Sequence, residues 1–383
     1  MKPSVVYWSN IPAPYMVERF SALARRNNIT FEVWFSRRTR PDRMWRIDEA
    51  AWTFPYRYLP QMRIGREPVG VPTPILREVT PDVLVGLHGE PAFLFGWSSA
   101  RMRGAATAVY VERTFDIWVK RRRWKETLKR HIFPRLDAIL SPGCDGDAFA
   151  GRYGAPPHRI HRLAGFSSFP HFSAGAALSR HKRERLRDEL GLRGVTFLYV
   201  GRLLPSKGLN YLFDAFGILR ERTGVDVNLV IVGDGPEEGR LRERCFREKL
   251  ANVEFLGFWQ REDLPSLYAA ADVFVFPTLG DAYGQVVEEA MSCSLPVVAT
   301  TTVGEITERI DDSVNGYIVP SADSAALLAR MAVLADDPNE RARMGAEAFK
   351  KVSSLTPDSW AAQFEGAISQ IASTRRIETP SRI

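Results

Sequence analysis

The 383-residue chain has little cysteine and no long apolar run. Its three cysteines, Cys144, Cys245 and Cys293, are odd in number, far apart and without a CxxC spacing, which argues against a disulfide framework or a zinc site. No segment approaches the roughly 18 consecutive apolar residues of a spanning helix. The first residues contain only a two-residue apolar stretch, Val5-Val6, so no secretory signal is expected. We therefore expect a cytoplasmic protein.

The composition is that of an ordinary globular protein, with 45% hydrophobic and 25% charged residues and a length that suits about two domains. Charge is unevenly distributed. Residues 1–170 contain 27 Lys and Arg against 15 Asp and Glu, whereas the remainder has 25 against 30. The first half is thus predicted to face an anionic partner, such as anionic lipid, a phosphorylated acceptor or nucleic acid. Because no recognition motif accompanies the basic residues, a nucleic-acid partner is not expected.

Short apolar runs alternate with helical patterns along most of the chain, which indicates an α/β protein with doubly wound, Rossmann-like parallel sheets. The predicted strands are Val5–Trp8, Phe31–Phe35, Val83–Leu87, Ala108–Val111, Ala138–Ser141, Thr196–Val200, Asn228–Val232, Val253–Leu256, Val273–Phe276 and Val297–Ala299. The pattern restarts after a break, and we place a linker at about residues 168–190.

Three regions are predicted from this pattern. Residues 1–172 form an N-terminal domain, residues 173–356 a C-terminal domain, and residues 357–372 a helix that crosses back to the first domain. In that last segment Trp360, Phe364, Ile368 and Ile371 recur at helical spacing and predict one apolar stripe.

The stretch FLYVGRLLPSKGLNYLFDAF, residues 197–216, predicts a strand, a glycine-bearing loop and a helix. Gly201 permits close approach of a backbone to a phosphate, and Arg202 and Lys207 can neutralise a diphosphate at a helix start. Two solvated loop cations are the alternative interpretation. The next strand is followed by a tight turn at Gly233, which is weak evidence alone because its glycine spacing does not match GxGxxG.

The stretch VFVFPTLGDAYGQVVEEAMSCSLPVVAT, residues 273–300, contains a strand, a loop with Asp281, a helix from about Gly284 to Met291, and another strand. Asp281 in the loop and Glu289 in the helix can bracket a ligand at the helix N-terminus. Carboxylates accept hydrogen bonds from paired sugar hydroxyls, and backbone N–H groups at Gly284 and Gln285 can meet a phosphate. The alternative is an N-cap for Asp281 and a solvated helix acid for Glu289.

In combination, VGRLLPSKGL, IVGDGP, VEFLGF, DAYGQVVEEAM, PVVAT and NGYIVP resemble the C-terminal domain of glycosyltransferase family 4, retaining enzymes of the GT-B fold. The resemblance covers most of residues 195–320 and implies two domains with a cleft between them. It also implies that Arg202 and Lys207 hold the donor diphosphate, that Glu289 binds the ribose and that Asp281 contacts the transferred sugar.

The same resemblance implies two residue sets. Catalysis is assigned to Arg202, Lys207, Asp281, Glu289 and His88. Nucleotide binding is assigned to Gly201, Arg202, Lys207, Gly233, Phe258, Tyr283, Gly284, Gln285 and Glu289. Trp360 resembles the family's aromatic residue in the final helix.

Three departures from the family pattern concern the donor site. Asp281 stands where the family usually has Glu, Ser294 replaces a helix-ending glycine, and the glycine-rich loop after the next strand is reduced to Gly304. These changes bear on donor identity more than on the fold.

The first half resembles the family less. Ser9, Asn10 and Tyr15 follow the first strand and are candidate acceptor-site residues, because ligands bind beyond the carboxyl ends of parallel strands. His88 follows another strand, one strand earlier than the family's usual histidine, and Glu112 stands at the usual position. His88 as a structural histidine is the alternative.

The basic segment Trp118–Arg135 has Trp124, Leu128 and Ile132 on one side of a predicted helix. Such a helix can lie on an anionic membrane surface, or it can simply pack against the core. The membrane interpretation favours a lipid-linked glycan acceptor.

Together these observations predict a retaining glycosyltransferase that moves a hexose-type sugar from a nucleotide-diphosphate donor to a glycan or lipid-linked glycan. Cell-surface polysaccharide or glycolipid biosynthesis is the expected setting. Fixed cations would replace a divalent ion, and no metal or other cofactor is expected, since the chain has no histidine cluster with ligand spacing. A nucleotide-sugar-binding partner protein without catalysis is the alternative, and a dinucleotide oxidoreductase is a weaker one.

Overall fold

The structure is a computed structural model that describes residues 2–40, 43–64, 67–71, 76, 78–87, 93–111, 123–163, 165, 168–250 and 252–378. The chain divides into two compact units. The first contains the described residues up to 165 together with the final helix, and the second contains residues 168–356.

The first unit is built on a seven-stranded parallel sheet. Its described elements are β1 Ser4–Ser9, α1 Pro14–Arg26, β2 Thr30–Phe35, β3 Tyr56–Tyr58, β4 Gln61–Ile64, β5 Glu67–Gly70, β6 Val83–Leu87, α2 Phe93–Met102, β7 Ala106–Tyr110, α3 Arg123–Ile132, β8 Ala138–Ser141, α4 Cys144–Arg152 and β9 Ile160–Arg162. The strand order is β3-β2-β1-β6-β7-β8-β9, and β4 and β5 form a separate antiparallel hairpin. The order reverses direction between β1 and β6, which defines the switch point of a doubly wound sheet.

The second unit has a six-stranded parallel sheet in the order β12-β11-β10-β13-β14-β15. Its elements are α5 Phe169–Ser179, α6 Arg183–Glu189, β10 Val195–Val200, α7 Leu209–Arg222, β11 Val227–Val232, α8 Glu238–Arg247, β12 Val253–Gly257, α9 Leu264–Ala270, β13 Val273–Phe276, α10 Gln285–Ser292, β14 Val297–Thr300, α11 Ile306–Arg309, β15 Gly316–Val319, α12 Ser324–Asp336 and α13 Pro338–Val352. The switch point lies between β10 and β13, where the order changes direction.

Every residue of β10, β11, β13 and β14 is buried, because helices cover both faces of the sheet. This explains why these strands are continuous β-branched and aromatic runs. All ten predicted strands are present within one or two residues of the expected bounds. Strands β3, β4, β5, β9 and β15 were not predicted. They are short, and β3 and β9 lie at sheet edges, where half-exposed side chains leave no uniform apolar pattern.

The segment predicted as a linker, residues 168–190, is helical instead. It contains α5, a 3₁₀ turn at Arg180–Lys182 and α6. Phe172 on α5 is fully buried against Tyr268 of α9, and Arg187 on α6 donates to Asp272. High charge density misled the prediction. On α6 the exposed side carries Glu184, Arg185, Asp188 and Glu189, whereas Arg187 is buried.

The final helix, α14 Pro357–Glu378, belongs to the first unit, where it packs on α1. The predicted apolar stripe is confirmed, since Trp360, Phe364, Ile368 and Ile371 are at most 4% exposed. Arg19 of α1 lies over the Trp360 ring at 4.9 Å. Within the part of the chain that the structure describes, no helix combines the length and hydrophobicity that a bilayer crossing requires.

Candidate functional site

The candidate site lies on the two loops that leave β10 and β13 at the switch point of the second sheet. At a switch point, the connections that leave two neighbouring strands run in opposite directions across the sheet. This leaves a crevice beyond the carboxyl ends of those strands, and open α/β sheets bind ligands there. Lys207 follows β10 and Asp281 follows β13. The two residues are 74 positions apart in sequence, yet the Lys207 Nζ donates to Asp281 Oδ2. Parallel pairing of β10 with β13 brings them together.

The loop after β10 depends on close backbone contact with the loop after β11. The Gly201 N–H donates to Val232 O at 2.9 Å, and the Leu203 N–H donates to Asp234 O at 2.7 Å. A Cβ at Gly233 would lie 1.9 Å from Gly201 O, and a Cβ at Gly201 would lie 2.8 Å from the Tyr199 hydroxyl oxygen, so glycine suits both positions. Gly201 and Gly233, both predicted to contact the nucleotide, therefore allow the loops after β10 and β11 to approach each other closely. Arg202 directly follows Gly201, and its carbonyl accepts from the Tyr199 hydroxyl at 2.9 Å.

Gly208 joins this loop to the β13 loop. It begins α7 with φ +67°, and a Cβ there would lie 2.0 Å from Pro277 O. Next to it, the Leu279 N–H donates to Ser206 O at 2.8 Å. The two loops thus contact each other on either side of Lys207. This arrangement places the Lys207 ammonium against Asp281 and 5.4 Å from the centroid of the Phe276 ring.

Asp281 accepts hydrogen bonds on both carboxylate oxygens. Oδ1 accepts from the N–H groups of Tyr283 at 3.0 Å and Gly284 at 2.6 Å, and Oδ2 accepts from Lys207. Burial alone raises the pKa of this carboxyl. Attraction to the Lys207 ammonium, together with these hydrogen bonds, outweighs burial and holds the pKa below its ordinary value. Asp281 therefore does cap the turn before α10, and it is also one half of an ion pair with only 22% of its side chain exposed.

The N-terminus of α10 is positioned by Gly284. Its φ of +67° suits glycine, and a Cβ would lie 2.9 Å from both Phe276 Cε1 and Val303 Cγ1. Gln285 and Val286 follow in the first turn, where N–H groups have no intrahelical acceptor and carry partial positive charge. Lys207, Asp281 and this helix start are thus assembled in one place, and the arrangement can receive an anionic oxygen.

Glu289 lies farther along α10 and is half-buried. Its Oε2 accepts from the Tyr268 hydroxyl at 2.9 Å. Burial raises the pKa of Tyr268 well above its ordinary value, and the neighbouring Glu289 carboxylate raises it further, so the phenol stays protonated and keeps donating. Phe258 directly follows β12, two strands from β10, and is partly buried.

Sequence patterns did not indicate Tyr268 or Arg309, although both contact predicted site residues. Tyr268 orients Glu289, and Arg309 donates to the carbonyl oxygens of Tyr283 and Gly284. Neither residue lies in one of the sequence motifs. Tyr268 is on α9 and Arg309 is on α11, and only the folded chain brings them into contact with α10 or with the turn before it.

Several predicted acceptor-site residues lie outside the described part of the structure: His88, Glu112 and residues 118–122 of the basic segment. Ser9 is described and is 3% exposed, with its hydroxyl donating to Ile11 O at 3.2 Å. Asn10 Oδ1 accepts from the Ile11 N–H at 2.6 Å. Both side chains thus stabilise the loop after β1. Tyr15 lies in the first turn of α1.

The described part of the basic segment, α3, packs against the core of the first unit. Ile132 is 5% exposed and Leu128 contacts the same core, whereas Trp124 is 54% exposed. Two of the three apolar residues of the predicted stripe are therefore used in packing.

Asp145 and Asp147 are two positions apart on α4, where side chains at i and i+2 point to different sides of the helix, so the two carboxylates do not form a shared cation site. The pair lies in the first turn of α4, where acids suit the helix dipole. Asp147 Oδ2 accepts from Arg162 Nε at 2.7 Å.

Known proteins resemble this chain in sequence and in fold. The family described as Glycosyl transferases group 1 matches residues 182–351, which includes both loops of the candidate site. The chain is 33% identical over 272 residues to an alpha-D-kanosaminyltransferase from Streptomyces kanamyceticus, covering 70% of this chain and 67% of that protein. It is 30% identical over 219 residues to a D-inositol 3-phosphate glycosyltransferase from Salinispora arenicola, covering 54% of this chain and 48% of the relative. The chain thus spans about half the length of the latter protein.

Among solved structures, HepE from Anabaena, determined in complex with UDP, superimposes with a TM-score of 0.76 over 97% of this chain and 100% of HepE, at 18% identity. The predicted GT-B fold, with two parallel-sheet α/β domains, is confirmed. The chain belongs to the group 1 family of glycosyl transferases.

Proposed function

We propose that this protein is a retaining, metal-independent glycosyltransferase that moves a hexose-type sugar from a nucleotide-diphosphate donor to a glycan or lipid-linked glycan. The proposal rests on one observation above all: the Lys207–Asp281 ion pair lies at the N-terminus of α10, at the switch point of a group 1 glycosyl transferase domain. The presence of UDP in the HepE structure supports a nucleotide donor. Cell-surface polysaccharide or glycolipid biosynthesis is the setting we propose.

The proposed chemistry uses fixed positive charge on the leaving group. The bond between the sugar C1 and the β-phosphate oxygen breaks, and its electron pair remains on the phosphate. Arg202, Lys207 and the amides that begin α10 stabilise this growing charge more strongly in the transition state than in the ground state. The acceptor hydroxyl forms the new C1–O bond on the face that the phosphate vacates, and its proton passes to the leaving phosphate.

The other donor contacts are proposed from the same geometry. Asp281 contacts the transferred sugar, and Glu289, oriented by Tyr268, binds the ribose hydroxyls. The backbone near Phe258 lines the base pocket. A carboxylate that already accepts from two amides and an ammonium is rigid, which favours a fixed orientation for the sugar hydroxyl that donates to it.

A panel of UDP-, GDP-, TDP- and ADP-sugars tests the proposal directly. We expect transfer from at least one donor, with the anomeric configuration retained in the product by NMR and with turnover unchanged in excess EDTA. Inversion at C1, or loss of activity in EDTA that Mg²⁺ restores, would contradict the corresponding part of the proposal. A protein that binds a nucleotide sugar but neither transfers it nor hydrolyses it would instead be the non-catalytic partner protein.

We further propose that α3 brings the protein to an anionic membrane surface, where a lipid-linked acceptor is found. Trp124 is exposed, and Arg123, Lys125 and Arg130 accompany it on the same helix. We expect sedimentation with vesicles of 30% phosphatidylserine but not with pure phosphatidylcholine, and weaker binding at 0.5 M salt, because screening shortens the range of the attraction. Trp124→Ser should reduce vesicle binding and leave transfer to a soluble acceptor unchanged. Equal binding to both vesicle types would rule out this surface.

A further inference from the structure

Three charged residues on α10 and on the segment that follows β14 are buried, and the mechanism above uses none of them. Glu288, Glu305 and Arg309 are 0%, 1% and 3% exposed. Burying a charge costs free energy unless hydrogen bonds compensate for it. The hydrogen-bond partners of these residues therefore indicate their role.

Arg309 directs its guanidinium at backbone carbonyls around the candidate site. Nη1 donates to Gly284 O at 3.1 Å, and Nη2 donates to Gly304 O at 2.7 Å and to Tyr283 O. Nε donates to Glu305 O at 3.3 Å. One side chain therefore connects the turn before α10 with the loop that follows β14.

These contacts fix the direction of two peptide groups. Both peptides are trans, so the C=O of one residue and the N–H of the next point in opposite directions. The Tyr283 carbonyl points to Arg309, and the Gly284 N–H points the other way, to Asp281 Oδ1 at 2.6 Å. The Gly284 carbonyl also points to Arg309, which turns the Gln285 N–H away from the guanidinium. Arg309 thus determines where both amides are aimed.

The aromatic ring of Tyr283 stabilises the guanidinium from its face. The guanidinium carbon lies 4.2 Å from the ring centroid, within the range of a cation–π contact. The ring itself is held, because the Tyr283 hydroxyl donates to Glu288 Oε1. Only a planar group with several donors can serve these carbonyls at once, which is a property of arginine and not of lysine.

We propose that Arg309 is a positioning residue that sets the direction of two amides, so that the Gly284 N–H holds Asp281 and the Gln285 N–H faces the donor diphosphate, with Tyr283 and Glu288 holding the guanidinium in place. This inference rests on the proposed glycosyl transfer. It assigns to buried charges a role in orienting the phosphate-binding turn, and it predicts an effect on the donor and not on the acceptor.

Arg309→Met and Arg309→Lys test the inference, with Arg187→Met as the matched control. Arg187 is also buried, at 8% exposure, and donates to Ala270 O at 2.9 Å, but it lies near the amino end of β10, at the opposite edge of the sheet. For Arg309→Met we expect a donor KM raised about tenfold and a kcat/KM lowered on the order of 100-fold, as misplaced groups cost in this range. The acceptor KM should change less than about twofold, and Arg309→Lys should give intermediate donor values.

Folding is checked for each variant by circular dichroism and thermal unfolding. Arg187→Met should lower the unfolding midpoint as Arg309→Met does, yet keep both KM values near those of the wild type. A folded Arg309→Met with wild-type donor kinetics would overturn the inference. If that variant does not fold, Arg309→Lys decides in the same way, by its donor KM.

Hydrogen exchange separates this inference from the function on which it rests. We expect the Gly284 amide to exchange faster in Arg309→Lys than in the wild type, and to be unchanged in Arg187→Met. A wild-type protein that uses no nucleotide sugar would refute the proposed function. Unchanged exchange at Gly284 in Arg309→Lys would refute the positioning role, whatever the outcome of the activity assays.

Discussion

Replacing Lys207 with alanine is expected to lower kcat/KM for the nucleotide-sugar donor roughly 100- to 1,000-fold, about 2.7–4 kcal/mol of transition-state stabilisation. The reason is that its ammonium lies at the switch point, 14% exposed, where a fixed charge acts on a leaving phosphate with little screening. Because the charge on the phosphate grows during the reaction, kcat should fall as well as donor affinity. Steady-state kinetics with the donor identified in the panel, together with calorimetric titration of the free nucleoside diphosphate, measures both quantities.

Lys351→Ala is the matched control for this variant. Lys351 also pairs with an aspartate, Asp311, at 2.9 Å, in the same unit, but the pair is more exposed, at 34% and 49%. Exposed pairs contribute at most about 1 kcal/mol to stability. Lys351 lies on α13 and Asp311 follows α11, so neither belongs to the loops that leave β10 and β13. Lys351→Ala should therefore leave donor kinetics unchanged. Lys207→Ala with wild-type turnover and wild-type donor affinity would remove Lys207 from the mechanism.

Asp281→Asn is the second variant with a large expected effect. Asparagine retains an oxygen that can accept from the Tyr283 and Gly284 amides, but it loses the charge that attracts Lys207. Hydrogen bonds to charged groups contribute roughly 1.5–3 kcal/mol, so the unfolding midpoint at pH 7 should fall measurably. Transfer should fall as well, on the order of 100-fold, because the sugar would lose a charged acceptor.

The stability effect of Asp281 should depend on pH in a defined direction. The folded state lowers the pKa of this carboxyl, so the carboxylate stabilises the fold fully above the ordinary carboxyl pKa of about 3.9. That contribution is lost as the pH falls through the lowered pKa of the folded state. Thermal unfolding of wild type and Asp281→Asn should be measured from pH 7 down to pH 3. The difference between their unfolding midpoints should begin to narrow near pH 3.

Asp311→Asn is the control for this comparison, since Asp311 is the partner of the exposed Lys351. We expect a much smaller shift in the unfolding midpoint at pH 7. A midpoint difference between wild type and Asp281→Asn that stayed constant or widened toward acid would contradict the lowered pKa. The two aspartates thus distinguish a partly buried ion pair from a surface pair of the same composition.

The strands and the site loops could be predicted because the signal for each lies in a few neighbouring residues of the sequence. Buried parallel strands must be apolar at successive positions, and this leaves runs such as Val195–Val200 and Val227–Val232 in the sequence. Gly201 and Gly233 directly follow such runs, and Gly208 and Gly284 directly precede helices α7 and α10. The structure shows that each glycine permits a contact or a φ angle that a side chain would prevent. Combined with the family motifs, these features also indicated the GT-B fold.

Charge-rich segments were harder to interpret, because a high content of charged residues does not show whether a segment is exposed to solvent or packed against the core. The segment at residues 168–190 resembles a linker in composition, yet Phe172 and Arg187 are buried within the second unit. In α3, an apparently amphipathic stripe has Leu128 and Ile132 against the core and only Trp124 exposed. Side-chain charge alone could not show which face of each helix meets another element.

By itself, the sequence determined two parallel-sheet units, the carboxyl-edge loops that carry Arg202, Lys207 and Asp281, the helix that carries Glu289, and the family to which they point. Only the tertiary structure decided that Lys207 and Asp281 form an ion pair, that Asp281 caps the turn before α10, and that Arg309 holds the carbonyls of that turn. The physical reason is distance along the chain. Local periodicity encodes strands and helices. The Lys207–Asp281 contact exists only once β10 pairs with β13, and the contacts of Arg309 with Tyr283 and Gly284 exist only once β13 pairs with β14.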